Sequence, residues 1–375
     1  MSKPPFKEIE FAPPLVERIP QAEGGFLLRS PVPLGEYAPS MAHILRRWAK
    51  EAPDRDFLAE REGDAWRRVT FAQASEHADA IAQALLDRGC SAERPVMILS
   101  GNGIDHALLT LGAYVAGIPA VPVSVAYSLM SQDHAKLKHI FAEIRPRVVY
   151  AANGKAFAKA LAALDLSDVD VVVNADPPDG IKAAGFSELL GTAPTAAVEK
   201  AFAAVGPDTI AKVLYTSGST GMPKGVVNTQ RMLCSNQMMV EQTWTFVKSH
   251  RIVLLDWLPW NHTFGGNHNF NLVLAQGGTL YIDGGKPAPN LIEQTVKNLR
   301  EVSPTIYFNV PVGYTMLLPY LEKDEALART FFAALKLIFY AGAALSQDLW
   351  DRLEALSVRV TGKRVPMISS WGSTE

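Results

Sequence analysis

PVMILSGNGIDHALLTLGAYVAGIPAVPV, residues 95–123, is the stretch on which the fold turns. It opens with an apolar run (95–100), passes through a glycine-bearing turn into a segment of helical length (103–116), and ends in a second apolar run (118–123). Both runs are continuously hydrophobic, without apolar–polar alternation, so each is expected to be a strand covered on both faces, as in a parallel sheet. The apolar content of 107–126 also raises the question of a membrane span. Gly112, Gly117, Pro119 and Pro122 interrupt it and no basic flank brackets it, so a buried helix followed by a buried strand is the expectation.

The same rhythm continues outward. A helix is expected over 131–144, a strand over 147–151, a helix over 155–164 and a strand over 169–175. Upstream, residues 1–37 are proline-rich and aperiodic and read as an extended arm. Ser40 is placed to cap the helix AHILRRWAKEA, and Thr70 opens another that runs through Leu86 and closes near Gly89. Residues 176–208 are rich in turn formers and suggest a soft boundary. Past it come strands over 211–216 and 225–229, a helix over 230–246, a strand over 252–258 and a buried helix to 275. A strand over 279–283, a helix over 290–302, strands over 305–310 and 335–342, a helix over 346–358 and a strand from 365 complete the pattern. The expected fold class is α/β, with two stacked subdomains of mixed or parallel sheet over 38–208 and 209–375.

Composition narrows the function. A net charge of −2 with no long run of Lys and Arg argues against a nucleic-acid partner. Cys90 and Cys234 have no CxxC companion and are read as reduced thiols, and MSKPPFKEIEFAPP at the N-terminus has no apolar signal core; a cytoplasmic protein with no membrane partner is expected.

The chemistry is concentrated in LYTSGSTGMPKGV, 214–226. Gly218, Gly221 and Gly225 allow sharp turns and expose backbone N–H groups; Thr216, Ser217, Ser219 and Thr220 add hydroxyls, and Lys224 a cation. Such a donor set suits a polyphosphate, although a plain glycine-rich hairpin between two strands has the same outline. The loop is not a Walker A sequence, because Lys224 lies between Pro223 and Gly225 and a strand, not a helix, follows; no GxGxxG dinucleotide fingerprint is present either.

YTSGSTGMPKG (215–225) resembles the phosphate-binding signature of the adenylate-forming superfamily, which includes acyl-CoA ligases, nonribosomal adenylation domains and luciferases. RVTFAQAS (68–75), LPWNHTFGG (258–266), YAGAALS (340–346) and WGSTE (371–375) resemble further family segments in the right order, so the resemblance covers about 68–375. It implies ATP-dependent activation of a carboxylic acid as an acyl-adenylate, with Mg²⁺, and transfer to coenzyme A. Thr216, Ser217, Gly218, Ser219, Thr220, Gly221 and Lys224 would hold phosphates, with Thr374 near them. Gly342, Ala343, Ala344, Trp371 and Gly372 would hold the adenine end, with Trp371 stacking on the base and Ala344 standing where proline is common. Glu375 would bind Mg²⁺, and Thr220, His262 and Glu375 would form the catalytic set. His262, Phe264, Asn267, Asn309, Val310 and Tyr340 would line the acid pocket.

WNHTFGGNHN looks most like bacterial feruloyl-CoA synthases, which implies a small aromatic acid such as ferulate. The family pattern continues past Glu375 with a further subdomain, a ribose-binding aspartate and a lysine-bearing lid domain, so the 375-residue chain alone is expected to be inactive or impaired. A nucleotide-binding fragment without turnover and a carrier-loading adenylation domain stay open as alternatives, as does a homodimer.

Overall fold

The structure is a computed structural model that describes residues 4–217 and 221–374. Among the described residues the strands form three main sheets and one separate hairpin. The first sheet runs, in spatial order, Pro223–Thr229, Ile210–Ser217, Ala120–Pro122, Val96–Leu99, Val148–Asn153, Asp170–Ala175, Ala183–Gly185. Every neighbouring pair in it is parallel except the hairpin formed by the first two. The second runs Val253–Asp256, Thr279–Ile282, Asp56–Glu62, Ala65–Thr70, and only its last pair is antiparallel. The third is parallel throughout, with Leu337–Tyr340 between Ile306–Asn309 and Met367–Ser369.

The apolar stretch at the centre of the sequence reading is a helix, Ile104–Val115, buried along its whole length, leading to the buried strand Ala120–Pro122. No helix among the described residues is long and apolar enough to cross a membrane. Ser40 and Thr70 cap their helices as their types suggest: Ser40 Oγ accepts from His43 N, and Thr70 forms a reciprocal capping box with Gln73. A cap of this kind stabilises a helix start by about 1 kcal/mol. Cys90 and Cys234 are free and buried, and burial pushes both thiols up to about 12.

Three features depart from the expected layout. The sheets do not divide at residue 208. The hairpin Ile210–Ser217/Pro223–Thr229 completes the first sheet, with Lys212 opposite Ala120, while Asp56–Thr70 belongs to the second sheet through the pairing of Leu58 with Leu280. A strand pairs with whichever buried edge the packing offers, and local pattern does not encode that choice. Two helices, Pro311–Lys323 and Glu325–Ala333, fill the interval after the 305–310 strand, the first continuing through Pro319. The arm contains a short hairpin, Glu17–Pro20 with Phe26–Arg29, and is tied down before it: Lys7 N donates to Arg364 O at 2.8 Å, and Lys7 Nζ to the carbonyls of Phe332 and Leu335 at 3.0 and 2.9 Å.

Candidate active site

An open cleft of about 1790 Å³ lies where the three main sheets present the C-terminal ends of their parallel strands. Gly101 and Asn102 reach it just after Val96–Leu99, Trp257 after Val253–Asp256, Asp283 after Thr279–Ile282, Val310 after Ile306–Asn309, and Ala341 after Leu337–Tyr340. Open α/β sheets form their binding crevices on this side because the loops and helix starts there expose unpaired backbone groups.

One wall is a π-helical turn, Phe264–Asn269. Its glycines are required by contact. A Cβ at Gly265 would sit 2.2 Å from the Leu258 carbonyl oxygen, and one at Gly266 would sit 2.2 Å from that of Trp260. Polar groups, half-buried or buried, fix the turn and the segment leading into it. Asn102 Nδ2 donates to Leu258 O at 2.9 Å and its Oδ1 accepts from Trp260 N at 3.0 Å. Asp256 accepts from Leu258 N at 3.1 Å and from Asn269 Nδ2 at 2.9 Å, and burial pushes its carboxyl up to about 7. Because Asn269 spends its amide N–H on Asp256, its Oδ1 is the acceptor in the 3.0 Å contact with His268 Nδ1, which assigns the His268 proton to Nδ1.

Burial lowers the pKa of His268, and partial desolvation lowers that of His262. His262 Nδ1 accepts from Phe264 N at 3.3 Å, so its proton sits on Nε2 when the ring is neutral. Behind these residues is an aromatic floor. His268 stacks on Phe339 with centroids 5.7 Å apart, and Phe264 meets Phe308 edge-on at 6.1 Å. The cleft therefore has an aromatic end and, along Asn228, Asn236, Asn267 and the 369–374 segment, a polar one.

Of the residues singled out from sequence, His262, Phe264, Asn267, Val310, Tyr340, Gly342, Ala343, Ala344, Trp371, Gly372 and Thr374 all line this cleft. Gly342 has φ 86°, a left-handed conformation that a side chain would strain, and it makes the turn that brings Ala343 and Ala344 to the cleft. Trp371 is 94% exposed at the mouth.

Thr216, Ser217, Gly221 and Lys224 belong to the hairpin, with Thr216 opposite Lys224 and Ser217 opposite Pro223; Lys224 is exposed and outside the cleft lining. Gly218, Ser219, Thr220 and Glu375 lie outside the described residues. Asn309 is a correction. It is 2% exposed, its Oδ1 accepts from Val310 N at 2.9 Å, and it does not line the cleft; it fastens the entry to the Pro311–Lys323 helix, and Gly313 leaves room for it.

Sequence reasoning passed over Asn228, which joins three of the family-like segments. At the base of the hairpin, its Nδ2 donates to Thr374 O at 3.3 Å and its Oδ1 accepts from Asn267 Nδ2 at 3.0 Å. Asn102, Lys212 and Asp256 were also passed over. Lys212 and Asp256 carried a local signal, each a charge inside an apolar strand, AKVLYT and IVLLDWL.

The family model for AMP-binding enzymes matches residues 45–375, and the chain belongs to that family. Among curated relatives, 4-chlorobenzoate–CoA ligase of an Arthrobacter species is 28% identical over 318 residues, which is 83% of this chain and 54% of that protein. CymA of Salinispora arenicola, a probable non-canonical nonribosomal peptide synthetase, is 26% identical over 339 residues, 90% of this chain and 4% of that protein. The chain thus spans about half the length of the first of these. Among solved structures, the anthranilate CoA ligase AuaEII in complex with anthranoyl-AMP superposes with a TM-score of 0.70 at 22% identity, covering 92% of this chain and 61% of that one. This likeness establishes the shared α/β fold of the adenylate-forming N-terminal domain.

Proposed function

We propose that the cleft binds ATP beside a carboxylic acid and activates the acid as an acyl-adenylate, whose acyl group then passes to coenzyme A. In the first step a carboxylate oxygen bonds to the α-phosphorus while the bond from that phosphorus to the bridging oxygen breaks, and pyrophosphate leaves. In the second the thiol sulfur bonds to the acyl carbon, its proton is lost and AMP departs. The observation that carries the reading is the junction at Asn228, which ties the hydroxyl-rich hairpin, the His262–His268 wall and the Thr374 segment around one cleft.

The Gly342–Ala344 turn, with no bulky side chain, suits a flat base; Lys224, exposed on the hairpin outside the cleft lining, and the hydroxyls of the 216–220 stretch are assigned to the phosphates by their chemistry. Magnesium ions in nucleotide sites need only one or two protein carboxylates, a role assigned here to Glu375; the ion would neutralise phosphate charge so that an anionic acid can approach. His262, neutral near pH 7, presents an N–H from Nε2 that can hold a carboxylate oxygen. The floor of Phe264, His268 and Phe339 favours a planar acid, and we assign ferulate or a related phenylpropenoic acid. Two relatives named for benzoate- and anthranilate-type acids support an aromatic substrate.

The test is acid-dependent ATP–pyrophosphate exchange by the native enzyme. Ferulate, coumarate and caffeate should outperform saturated fatty acids, and a double substitution Lys224→Ala with Thr220→Val should abolish exchange. A long-chain preference would overturn the substrate, and full exchange in the double variant would overturn the phosphate assignment. A carrier-loading reading draws on the peptide-synthetase relative; acyl transfer to a carrier thiol but not to coenzyme A would favour it.

A further inference from the structure

The strand Ile210–Ser217 turns one charged side chain inward. Lys212 is 4% exposed, and its Nζ donates to the carbonyl oxygen of Gly266 at 3.2 Å. It does not line the cleft. It stands behind the π-turn and faces a space of about 10 Å³ bounded by His106, Thr110, Trp260 and Phe270, which is at the lower limit for a single water.

No carboxylate bonds to Lys212 among the described residues. The titratable groups on its side are on the Ile104–Val115 helix. His106 has Nδ1 2.9 Å from Gly101 O and is held at about 4 by burial; the ring of Tyr114 lies 5.9 Å from Nζ, and its buried hydroxyl has no partner. The neighbouring strands place Ala120 and Asn228 beside Lys212 and add no charge. Burial pushes Lys212 down to about 7. A methionine would fill the same volume without that desolvation cost, so the amine needs a reason, and its hydrogen-bond partner sits in the middle of the π-turn.

We propose that Lys212 is a positioning residue for the acid-binding wall: from behind the cleft, its Nζ holds the Gly266 carbonyl and sets the π-turn that presents Phe264, Asn267 and His268. The proposal rests on the reading of this cleft as a carboxylic-acid site. The far end of the turn is held from the other side, by Asn269 on Asp256. Lys212 belongs to the first sheet and Asp256 to the second, so the turn is clamped between two sheets. A hydrogen bond from an ammonium is stronger than one from a neutral amine, so the clamp loosens as pH rises through the Lys212 transition.

The test variant is Lys212→Met, which keeps the apolar stem and removes the donor. In the unliganded chain, amide hydrogen exchange over 264–271 should accelerate about tenfold while Val96–Leu99 is unchanged. In the native enzyme, KM for the acid should rise about tenfold with KM for ATP within about twofold; Asp256, which holds the other end of the turn, titrates over the same range, so the pH arm is run in an Asp256→Asn background, where the rise of the acid KM between about pH 6 and 8 should disappear on adding Lys212→Met. Wild-type exchange rates over 264–271 in the variant, or an unaltered pH profile, would overturn the proposal. If no acid is turned over even by the wild type, the functional reading falls and the exchange measurement alone decides the positioning role. If Lys212→Met does not fold, protection over 264–271 in Asp256→Asn, corrected for intrinsic exchange, must fall across the same pH range; a flat profile overturns the proposal.

Discussion

Replacing Gly266 with alanine tests the wall directly. The added Cβ would lie 2.2 Å from the Trp260 carbonyl oxygen. A carbon–oxygen contact needs about 3.3 Å, so one backbone segment must move by about 1 Å. The obstacle is main chain and cannot rotate away, which places the overpacking cost at about 1–3 kcal/mol. The same movement stretches the 3.2 Å bond from Lys212 Nζ, whose loss adds about 1.5–3 kcal/mol. The expected total, about 2.5–6 kcal/mol, is a large part of the about 5–15 kcal/mol that holds a domain together. Gly206→Ala is the control: a Cβ there meets nothing within 4 Å, and the change should cost under about 0.5 kcal/mol. Urea unfolding followed by tryptophan fluorescence gives both values. If Gly266→Ala unfolds within about 1 kcal/mol of wild type and alongside the control, the close-approach argument is wrong.

Two further outcomes follow from burial. Asp256 is raised to about 7 in the folded state, so its protonated form is the one that folding favours. Its contribution is full below the unfolded carboxyl pKa near 4 and is lost as pH rises through about 7, by up to about 4 kcal/mol. The stability difference between wild type and Asp256→Asn should therefore shift toward the variant between about pH 4 and 8, and a pH-independent difference would contradict the assignment. Cys90 and Cys234, buried and pushed up to about 12, should resist a disulfide-exchange reagent at pH 8 in the native protein and both react in denaturant; rapid native labelling would show that the core opens.

The sequence was legible where an element's partner is its chain neighbour. The alternation over 95–175 was readable because its strands are largely buried and join one parallel sheet with their near neighbours in the chain. It was illegible where partners are remote. One pair of chain neighbours was missed as well: in the antiparallel hairpin Asp56–Glu62/Ala65–Thr70 the many Arg and Glu residues mask the strand pattern, although Gly63 and Asp64 mark a two-residue turn of hairpin type; what is remote is its pairing with Thr279–Ile282. The Pro311–Lys323 helix was obscured by Pro319. In the cleft, the motif residues His262, Phe264 and Gly342–Ala344 stood out as strings, and they do meet. Asn309 looked equally polar and well placed, but its amide is consumed by the chain beside it. Asn228 had no string to announce it, because its importance is a matter of which distant carbonyl and amide it reaches.

One cleft is proposed to hold a nucleotide and an aromatic acid side by side. The most direct measurement is calorimetric titration of the protein with a non-hydrolysable feruloyl-adenylate mimic, in which a sulfamoyl group replaces the phosphate, followed by competition. Saturable binding at one site is expected, displaced by ATP and independently by ferulate, and weakened by Phe339→Ala. Binding that ATP displaces but ferulate does not, or no saturable binding at all, would contradict the proposal.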